Sequence, residues 1–240
     1  MKASHVCFHL NTNAFPPPSQ SLECTRTMQF KTPTSFAVIG GTMSGKTHFV
    51  WNLLKHGREL FDVPPGKIVY CYLEDQAVMD DMQASLPDFT TYRGLPGREE
   101  LREWCADSPH TVVVLDDMIH LVTKSADALH LFQTMVSHAN VTAFLLSQNL
   151  YPPGVYAKSI LLNCQHVVLF KNVRDNRQII TFGSQVFTGR PKFWMDAYAR
   201  AVRRPYGYIL VDLTNHCPED RRLRTNLLPE EGDTIVYRPR

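Results

Sequence analysis

The stretch that decides the fold is FAVIGGTMSGKTHFV, residues 36–50. A hydrophobic run, typical of a buried strand, enters a glycine-rich turn that leads into a segment with helical spacing of apolar residues. Within the turn, Gly40 is followed by four residues and then by Gly45, Lys46 and Thr47, which is the phosphate-binding P-loop pattern. The order of strand, loop and helix is the one this motif requires, so the segment predicts a nucleotide site.

Each part of the loop has a predicted task. Backbone N–H groups of the loop and of the helix N-terminus are expected to face the phosphates of ATP. These residues are Gly40, Gly41, Thr42, Met43, Ser44, Gly45, Lys46, Thr47 and His48. Lys46 would reach the β- and γ-phosphates, and the Thr47 hydroxyl would bind Mg²⁺. A glycine turn without a ligand is the alternative, but Gly-Lys-Thr at this spacing rarely arises for packing alone.

A second strand pattern ends in two acids. TVVVLDDM, residues 111–118, is an apolar run with Asp116 and Asp117 near its C-terminal end. In a P-loop fold the first acid lies beside Thr47 and holds Mg²⁺, while the second can orient or deprotonate an attacking water. Asp117 could instead cap the following helix. P-loop hydrolases with an additional strand usually carry glutamate at this second position, and aspartate is one methylene shorter.

The interval between the P-loop and Asp116 is about 70 residues long. It has room for an extra strand, KIVYCYLE (67–74) or TTYRG (90–94), between the P-loop strand and the Asp116 strand. ATP-driven motors use that order, unlike GTPases and small-molecule kinases. The next strand, VTAFLLSQN (141–149), carries Gln148 near its end, which we predict to contact the γ-phosphate and the attacking water. A simple turn residue is the alternative.

Two other nucleotide-binding classes can be tested on the sequence. A GTPase needs an N-K-x-D signature; Asn172 and Asp175 have that spacing, but Val173 stands where the lysine belongs. A nucleotide kinase needs an arginine-rich lid, and the region after the acidic pair contains only Lys124 before a helix. Both classes are therefore disfavoured.

The composition describes one globular domain. The chain has 240 residues, 44% of them hydrophobic, and a net charge of +2. After residue 170 there are 13 Lys and Arg against 8 Asp and Glu, a basic bias that suits an anionic partner. The six cysteines form no C-x-x-C pair, and Cys71 and Cys164 lie in apolar runs, as reduced core thiols do. Without a secretory signal or a run of roughly 18 apolar residues, we expect a soluble intracellular protein with no membrane partner.

The chain divides into three predicted parts. Residues 1–33 are polar, contain three consecutive prolines and lack periodicity, so they predict a flexible arm with an edge strand near TMQF (27–30). Over 34–228, strand and helix patterns alternate, which predicts an α/β P-loop domain with a mostly parallel sheet and helices on both faces. The last clear strand is YGYILVDL (206–213), and 229–240 is a predicted C-terminal tail.

Several arginines are candidates for roles outside the P-loop. Arg174 and Arg177 follow a strand end, and in ring motors an arginine that reaches a neighbouring subunit's site stabilises charge on the transferred phosphoryl group. Ordinary surface arginines are the alternative. Other arginines could meet nucleic-acid phosphates, although a solvated basic face explains them almost as well. These are Arg200, Arg203, Arg204, Arg221, Arg222 and Arg224.

Together, five segments resemble the viral genome-packaging ATPases of the FtsK/HerA superfamily. They are GGTMSGKT, the acids of VVVLDDM, the glutamine of FLLSQNLYPPG, the block SILLNCQHVVLFKNVRDNRQI, and PYGYILVDL…LRTNLLP. Within that superfamily, the chain resembles the poxvirus-like packaging ATPases of adintovirus-like and Polinton/Maverick-like elements. The resemblance covers about residues 35–230.

The resemblance implies a RecA-like ATPase core that assembles as a homo-oligomeric ring of five or six subunits. Such a ring pumps double-stranded DNA into a preformed capsid, so capsid protein is a further implied partner. The matched positions imply phosphate and metal binding by the P-loop, metal and water binding by Asp116 and Asp117, and a sensor role for Gln148. No arginine is matched as the finger. The implied place of action is the host nucleus or a viral assembly site.

Two other functions fit parts of the sequence. One is a P-loop binding or regulatory protein, such as a domesticated relic of an integrated element. Intact Lys46, Thr47, Asp116 and Gln148 favour a working ATPase instead. The other is a helicase-like or segregation motor of the same superfamily, although a compact core without large accessory domains favours packaging.

Overall fold

The computed structural model describes residues 20–25 and 28–239. Ten strands occur in these ranges: β1 (Gln20–Thr25), β2 (Ser35–Ile39), β3 (Lys67–Tyr72), β4 (Phe89–Arg93), β5 (Thr111–Asp116), β6 (Val141–Ser147), β7 (His166–Phe170), β8 (Tyr208–Asp212), β9 (Leu223–Thr225) and β10 (Thr234–Pro239). The helices are α1 (Lys46–Lys55), α2 (Gly57–Leu60), α3 (Val78–Ser85), α4 (Arg98–Ala106), α5 (Ile119–Val122), α6 (Ala126–His130), α7 (Val136–His138), α8 (Ala157–Leu162), α9 (Asn176–Val186) and α10 (Pro191–Ala201).

The ten strands form one sheet in the order β1-β10-β9-β8-β7-β2-β6-β5-β3-β4. The six strands from β7 to β4 are parallel, whereas β8, β9, β10 and β1 extend the sheet with antiparallel pairs. The predicted α/β class is confirmed. Carboxyl ends of parallel neighbours meet at one edge of a sheet, so the segments that follow β2, β5 and β6 come together there.

The additional strand beside the P-loop strand is not the one expected from the sequence. β6 lies between β2 and β5, pairing Leu145 with Ala37 and Ala143 with Val113. The expected candidates form β3 and β4, which lie beyond β5 at the edge of the sheet. An additional strand is present, but its assignment to residues 67–74 or 90–94 is wrong. Each parallel strand is reached by a crossover, so order along the chain does not determine order in the sheet.

Two hydrophobic cores cover the two faces of the sheet. Residues of β2 alternate between them, with Ala37 and Ile39 in one core and Phe36 and Val38 in the other. The first core is closed by α4 to α10 and the second by α1 to α3. Helices therefore cover both faces, as predicted.

Two stretches with a helical pattern in the sequence are divided in the structure. Residues 48–60, in which apolar residues recur at helical spacing, belong to two helices, α1 and α2. At the start of α2, a Cβ on Gly57 would come within 2.9 Å of Pro65 Cδ, so a glycine lets the following chain pass closely. Residues 125–139 also have a helical pattern, and they form α6, a π-helical turn at Leu131–Met135, and α7.

Both ends of the described chain join the sheet. β1 lies in the segment predicted as an arm, and β10 lies in the segment predicted as a tail, where they pair with each other. Of the predicted edge strand, Phe30 forms a single bridge to Phe61 and is buried. Residues 1–19 of the predicted arm lie outside the described residues. The sequence analysis missed β9, because three residues are too few to show a periodicity, and β10, because it lies in the segment predicted as a tail.

Two cysteines of the hydrophobic core are free thiols. Cys71 and Cys164 are buried, and burial raises the pKa of the Cys164 thiol to about 12, which keeps it protonated.

In the part of the chain that the structure describes, every helix is too short or too polar to cross a membrane.

Candidate nucleotide site

The P-loop occupies the turn between β2 and α1. The Gly40 N–H donates to the Ser147 carbonyl at 3.0 Å, which ties the loop to the end of β6. A Cβ on Gly40 would lie 2.5 Å from Ser44 Oγ and 2.7 Å from Phe170 Cβ, so only glycine fits. Gly45 has a φ of 101°, which also favours glycine. The loop is therefore a tight cradle of backbone N–H groups.

Lys46 lies across this cradle. Its Nζ donates to the carbonyls of Gly40 at 2.9 Å and Gly41 at 3.1 Å. Desolvation lowers the pKa of the Lys46 ammonium, and the charges of Asp116 and Asp117 oppose that shift. A phosphate in the cradle would restore a favourable environment for the charge.

The remaining loop positions differ in exposure. The buried Ser44 hydroxyl has no hydrogen-bond partner among the described residues, as expected of a group that meets a ligand. The Thr42 hydroxyl donates to Gln148 Oε1 at 3.3 Å. Met43 has a φ of 61° and its side chain is exposed. His48 is also exposed, with its ring 5.9 Å from the Trp51 ring, so any contact of His48 with phosphate would come from its backbone.

Asp116, at the end of β5, is buried beside the loop. Its Oδ2 accepts hydrogen bonds from the Thr47 hydroxyl at 3.2 Å, from Gln76 Nε2 at 3.1 Å and from the Tyr70 hydroxyl. No described residue donates to Oδ1. The hydroxyl of Thr47 and the carboxylate of Asp116 form a set of oxygen ligands, which is what Mg²⁺ prefers. These two residues fit the predicted metal role.

Tyr70 and Gln76 are site residues that the sequence analysis missed. β3 is the neighbour of β5 in the sheet, with Tyr70 paired to Val114, and this places the phenol next to Asp116. Burial, chiefly, raises the pKa of the Tyr70 hydroxyl far above its usual range, so it stays a donor. A hydroxyl in the buried middle of a strand could have pointed to Tyr70. Gln76, in the loop after β3, had no such signal.

Asp117 and Gln148 contact each other. Asp117 is exposed and has a φ of 50°, and its Oδ1 accepts a hydrogen bond from Gln148 Nε2 at 3.2 Å. Met118, and not Asp117, is the N-cap residue of α5, and the Asp117 side chain is bound to Gln148 instead. With Thr42 bound to the other end of Gln148, one amide links the P-loop to the second acid.

A cleft of about 640 Å³ opens on the β7 and β8 side of the loop. It is lined by three turns, 41–44 of the P-loop, 171–175 after β7 and 203–207 before β8, and by Gln148, Asn149 and Gln178. Tyr206 lies over the loop, because a Cβ on Gly45 would be 3.1 Å from Tyr206 Cδ1. The sequence analysis did not single out this tyrosine.

The predicted arginines lie in different places. Arg174 lines the cleft of its own chain, whereas Arg177 is exposed on α9 and does not line it. Among the arginines considered for DNA, Arg204, Arg222 and Arg224 are held by the fold. Their partners are Asn226 and Glu231 for Arg204, the carbonyls of Asp212 and Thr214 for Arg222, and the Asp212 carboxylate for Arg224. A structural role explains these three.

Comparison with known proteins gives similarity in fold only. No family model matches the chain, and no curated protein matches it. Among solved structures, the genome packaging NTPase B204 of Sulfolobus turreted icosahedral virus 2, bound to ATP-γS, superposes with a TM-score of 0.53 at 9% identity, covering 85% of this chain and 97% of that one. B204, the DNA-packaging ATPase of Sulfolobus turreted icosahedral virus, gives 0.52 at 11% identity with the same coverage.

At 9–11% sequence identity, the structural similarity to these two proteins is evidence for the fold alone. The chain has the predicted α/β, RecA-like fold of P-loop NTPases, with the loop, the acidic strand end and the glutamine strand end at one edge of the sheet.

Proposed function

We propose that this protein is a Mg²⁺-dependent ATPase that translocates double-stranded DNA and packages it into viral capsids. The observation that carries the proposal is the contact between Asp117 and Gln148 at 3.2 Å, beside the P-loop and Asp116. A nucleotide-binding protein without hydrolysis needs the loop and a metal ligand. It does not need a carboxylate and an amide joined at the place where an attacking water would stand.

The chain's own groups divide the work of hydrolysis. Mg²⁺, held by Thr47 and Asp116, would supply neutralisation of phosphate charge. Lys46 leaves its carbonyl partners to bind the β- and γ-phosphates. Asp117 accepts a proton from the attacking water while Gln148 orients it, which positions the nucleophile in line with the bond that breaks.

The DNA and capsid parts of the proposal rest on similarity to known proteins and on charge. The two similar solved structures are named as a genome packaging NTPase and a DNA-packaging ATPase, and the segments quoted above resemble FtsK/HerA packaging ATPases, in particular those of adintovirus-like and Polinton/Maverick-like elements. The excess of basic residues after residue 170 is compatible with an anionic partner. We propose action in the host nucleus or at a viral assembly site, with capsid protein as a partner.

We further propose that the protein works as a ring of five or six copies. In that arrangement Arg174 or Arg177 of one subunit would stabilise the transferred phosphoryl group in its neighbour's site. Arg177 is exposed on α9 and therefore accessible to a neighbour. Arg174 is exposed at the rim of its own cleft, which suits either its own nucleotide or a neighbour's.

The segment after Gln148 is the proposed link between hydrolysis and motion. Its sequence, NLYPPGVYAKS (149–159), contacts the segment that follows Asp117: the Thr123 hydroxyl donates to the Pro153 carbonyl at 3.0 Å, and the Tyr156 N–H to the Thr123 carbonyl at 2.9 Å. Loss of the γ-phosphate would release Gln148 and let this segment move. A Gln148→Ala variant that kept DNA-coupled hydrolysis would count against this link.

The test is steady-state ATP hydrolysis by the purified protein, with and without double-stranded DNA. Lys46→Ala is the critical variant, and Lys55→Ala, a lysine exposed at the other end of α1, is its matched control. We expect hydrolysis that DNA stimulates, that disappears in Lys46→Ala and that survives in Lys55→Ala.

Other outcomes separate the parts of the proposal. A rate of ATP hydrolysis that does not change when DNA is added would support the ATPase activity but contradict the proposed DNA motor. Tight ATP binding without hydrolysis in either condition would indicate a nucleotide-regulated switch or a relic, and the packaging function would have to be abandoned.

A further inference from the structure

The cleft beside the P-loop exposes several large apolar side chains to solvent. Three of its lining side chains are large, apolar and open to solvent: Met43 is 90% exposed, Val173 76% and Tyr206 72%. Each projects from a different turn. Large apolar groups that converge on one cleft indicate a partner with flat, apolar faces.

Tyr206 is held in a conformation that packing alone does not favour. Its φ is 58°, in the left-handed region that is unfavourable for a residue with a side chain. The next residue, Gly207, is confined, since a Cβ there would lie 2.5 Å from the Ala201 carbonyl oxygen. The turn before β8 thus presents the tyrosine ring over Gly45 and keeps it there.

The sheet order sets the direction in which a bound nucleotide runs. Asp116, Asp117 and Gln148 follow β5 and β6, on one side of the P-loop strand, and they mark the γ-phosphate end. The cleft begins at Gln148 and continues along the P-loop to the segments after β7 and before β8, which lie on the other side of β2 and include Tyr206. We therefore expect the α-phosphate, the ribose and the base to extend toward the Tyr206 side of the cleft.

Asn172 and Asp175 have the spacing of the asparagine and aspartate that bind guanine in GTPases, but here both form hydrogen bonds within the protein. Asn172 Oδ1 accepts the backbone N–H groups of Arg174 and Asp175, at 3.1 and 3.0 Å. The Asp175 carboxylate caps α9 and accepts from both N–H and Nε2 of Gln178. The Asn172 amide oxygen and both Asp175 carboxylate oxygens are thus engaged within their own turn.

We infer that this cleft binds the nucleoside part of the nucleotide, with the base stacked on the Tyr206 ring and covered by Val173. The inference rests on the proposed function, since it assumes a nucleoside triphosphate in the P-loop. Stacking acts on every base, because each has a π-face, so the site selects purines over pyrimidines by area and discriminates little between adenine and guanine.

The experiment compares two ligands that share a triphosphate but differ in the base. Binding of ATP-γS and of inorganic tripolyphosphate, each with Mg²⁺, is measured by calorimetry for the wild type, Tyr206→Ala and Tyr206→Phe. Tyr206→Ala should weaken ATP-γS about tenfold and leave tripolyphosphate within about twofold of the wild type. Tyr206→Phe keeps the ring and should bind ATP-γS almost normally. The affinity of Tyr206→Ala for GTP-γS should fall by the same factor as its affinity for ATP-γS.

Thermal melting of each variant shows that the fold is intact. If Tyr206→Ala lowered the affinities for ATP-γS and for tripolyphosphate by the same factor, the inference would be overturned, because the ring would then stabilise the P-loop and not the bound base. An unchanged affinity for ATP-γS would overturn it as well. Either result leaves the proposed function standing, whereas a wild type that binds neither ligand would remove both.

Discussion

The two sides of the P-loop are built in opposite ways. On the β5 side, the Asp116 carboxylate is buried and accepts three hydrogen bonds, from Thr47, Tyr70 and Gln76. On the β7 and β8 side, the cleft exposes apolar side chains. Two of its cations, Lys171 and Arg203, form no side-chain hydrogen bond or ion pair with the rest of the described chain.

The difference follows from what each side has to do. A metal ligand and a general base act only within tenths of an ångström, so their groups are fixed in advance by hydrogen bonds. A base that is bound by stacking tolerates variation and needs accessible apolar area. The rigid side of this site is suited to chemistry and the open side to binding, and each of the following substitutions tests that contrast.

The largest effect is expected at Asp117. Asp117→Asn keeps the size of the side chain and an oxygen that can accept from Gln148, but it cannot take a proton from water. We expect kcat for ATP hydrolysis to fall by about 10²–10⁴ with ATP affinity retained. Asp107→Asn, at an exposed helix end, is the control. A normal kcat in Asp117→Asn would mean that this acid is not the base, and the rigid side would lose its proposed task.

A middle-sized effect is expected at Tyr70. Tyr70→Phe removes one donor from a buried carboxylate and should lower the free energy of unfolding by about 1.5–3 kcal/mol, measured by denaturant melts. Tyr72→Phe, two residues along the same strand, removes a hydroxyl that forms no hydrogen bond in the described chain and should change little. If both substitutions lowered the free energy of unfolding by the same amount, the hydrogen bond from Tyr70 to Asp116 would not contribute specifically to stability. The β5 side would then not be more rigidly held than the cleft.

The smallest effect is expected at Arg203, on the open side. Its exposed guanidinium can attract the phosphates only through solvent, so Arg203→Gln should weaken ATP-γS binding by about two- to fivefold at low salt. The difference should shrink at high salt, because exposed charges are screened. Arg200→Gln, on the outer face of α10, is the matched control. A loss well above tenfold that persists in salt would show that the open side also holds a fixed ionic contact.

Sequence and structure agree best where the information is local. The P-loop, the acidic strand end and the α/β class follow from spacing and periodicity within short segments, and the structure has them. The additional strand was assigned to the wrong segment because its position depends on the crossovers and not on chain order. Gln76 and Tyr206 escaped because no pattern around them marks a site, and Tyr70 escaped because a hydroxyl in a buried strand does not by itself show which group it binds.

What the sequence determined by itself is the loop: two glycines, a lysine and a threonine at set spacing leave the backbone one compact turn between strand and helix. What only the tertiary structure decided is which distant groups complete it. Tyr70 lies 46 positions from Asp116, and Thr42 lies 106 from Gln148. Such contacts arise when neighbouring strands bring their ends to one edge of the sheet, because the register of packed strands, and not the local chain, sets those distances.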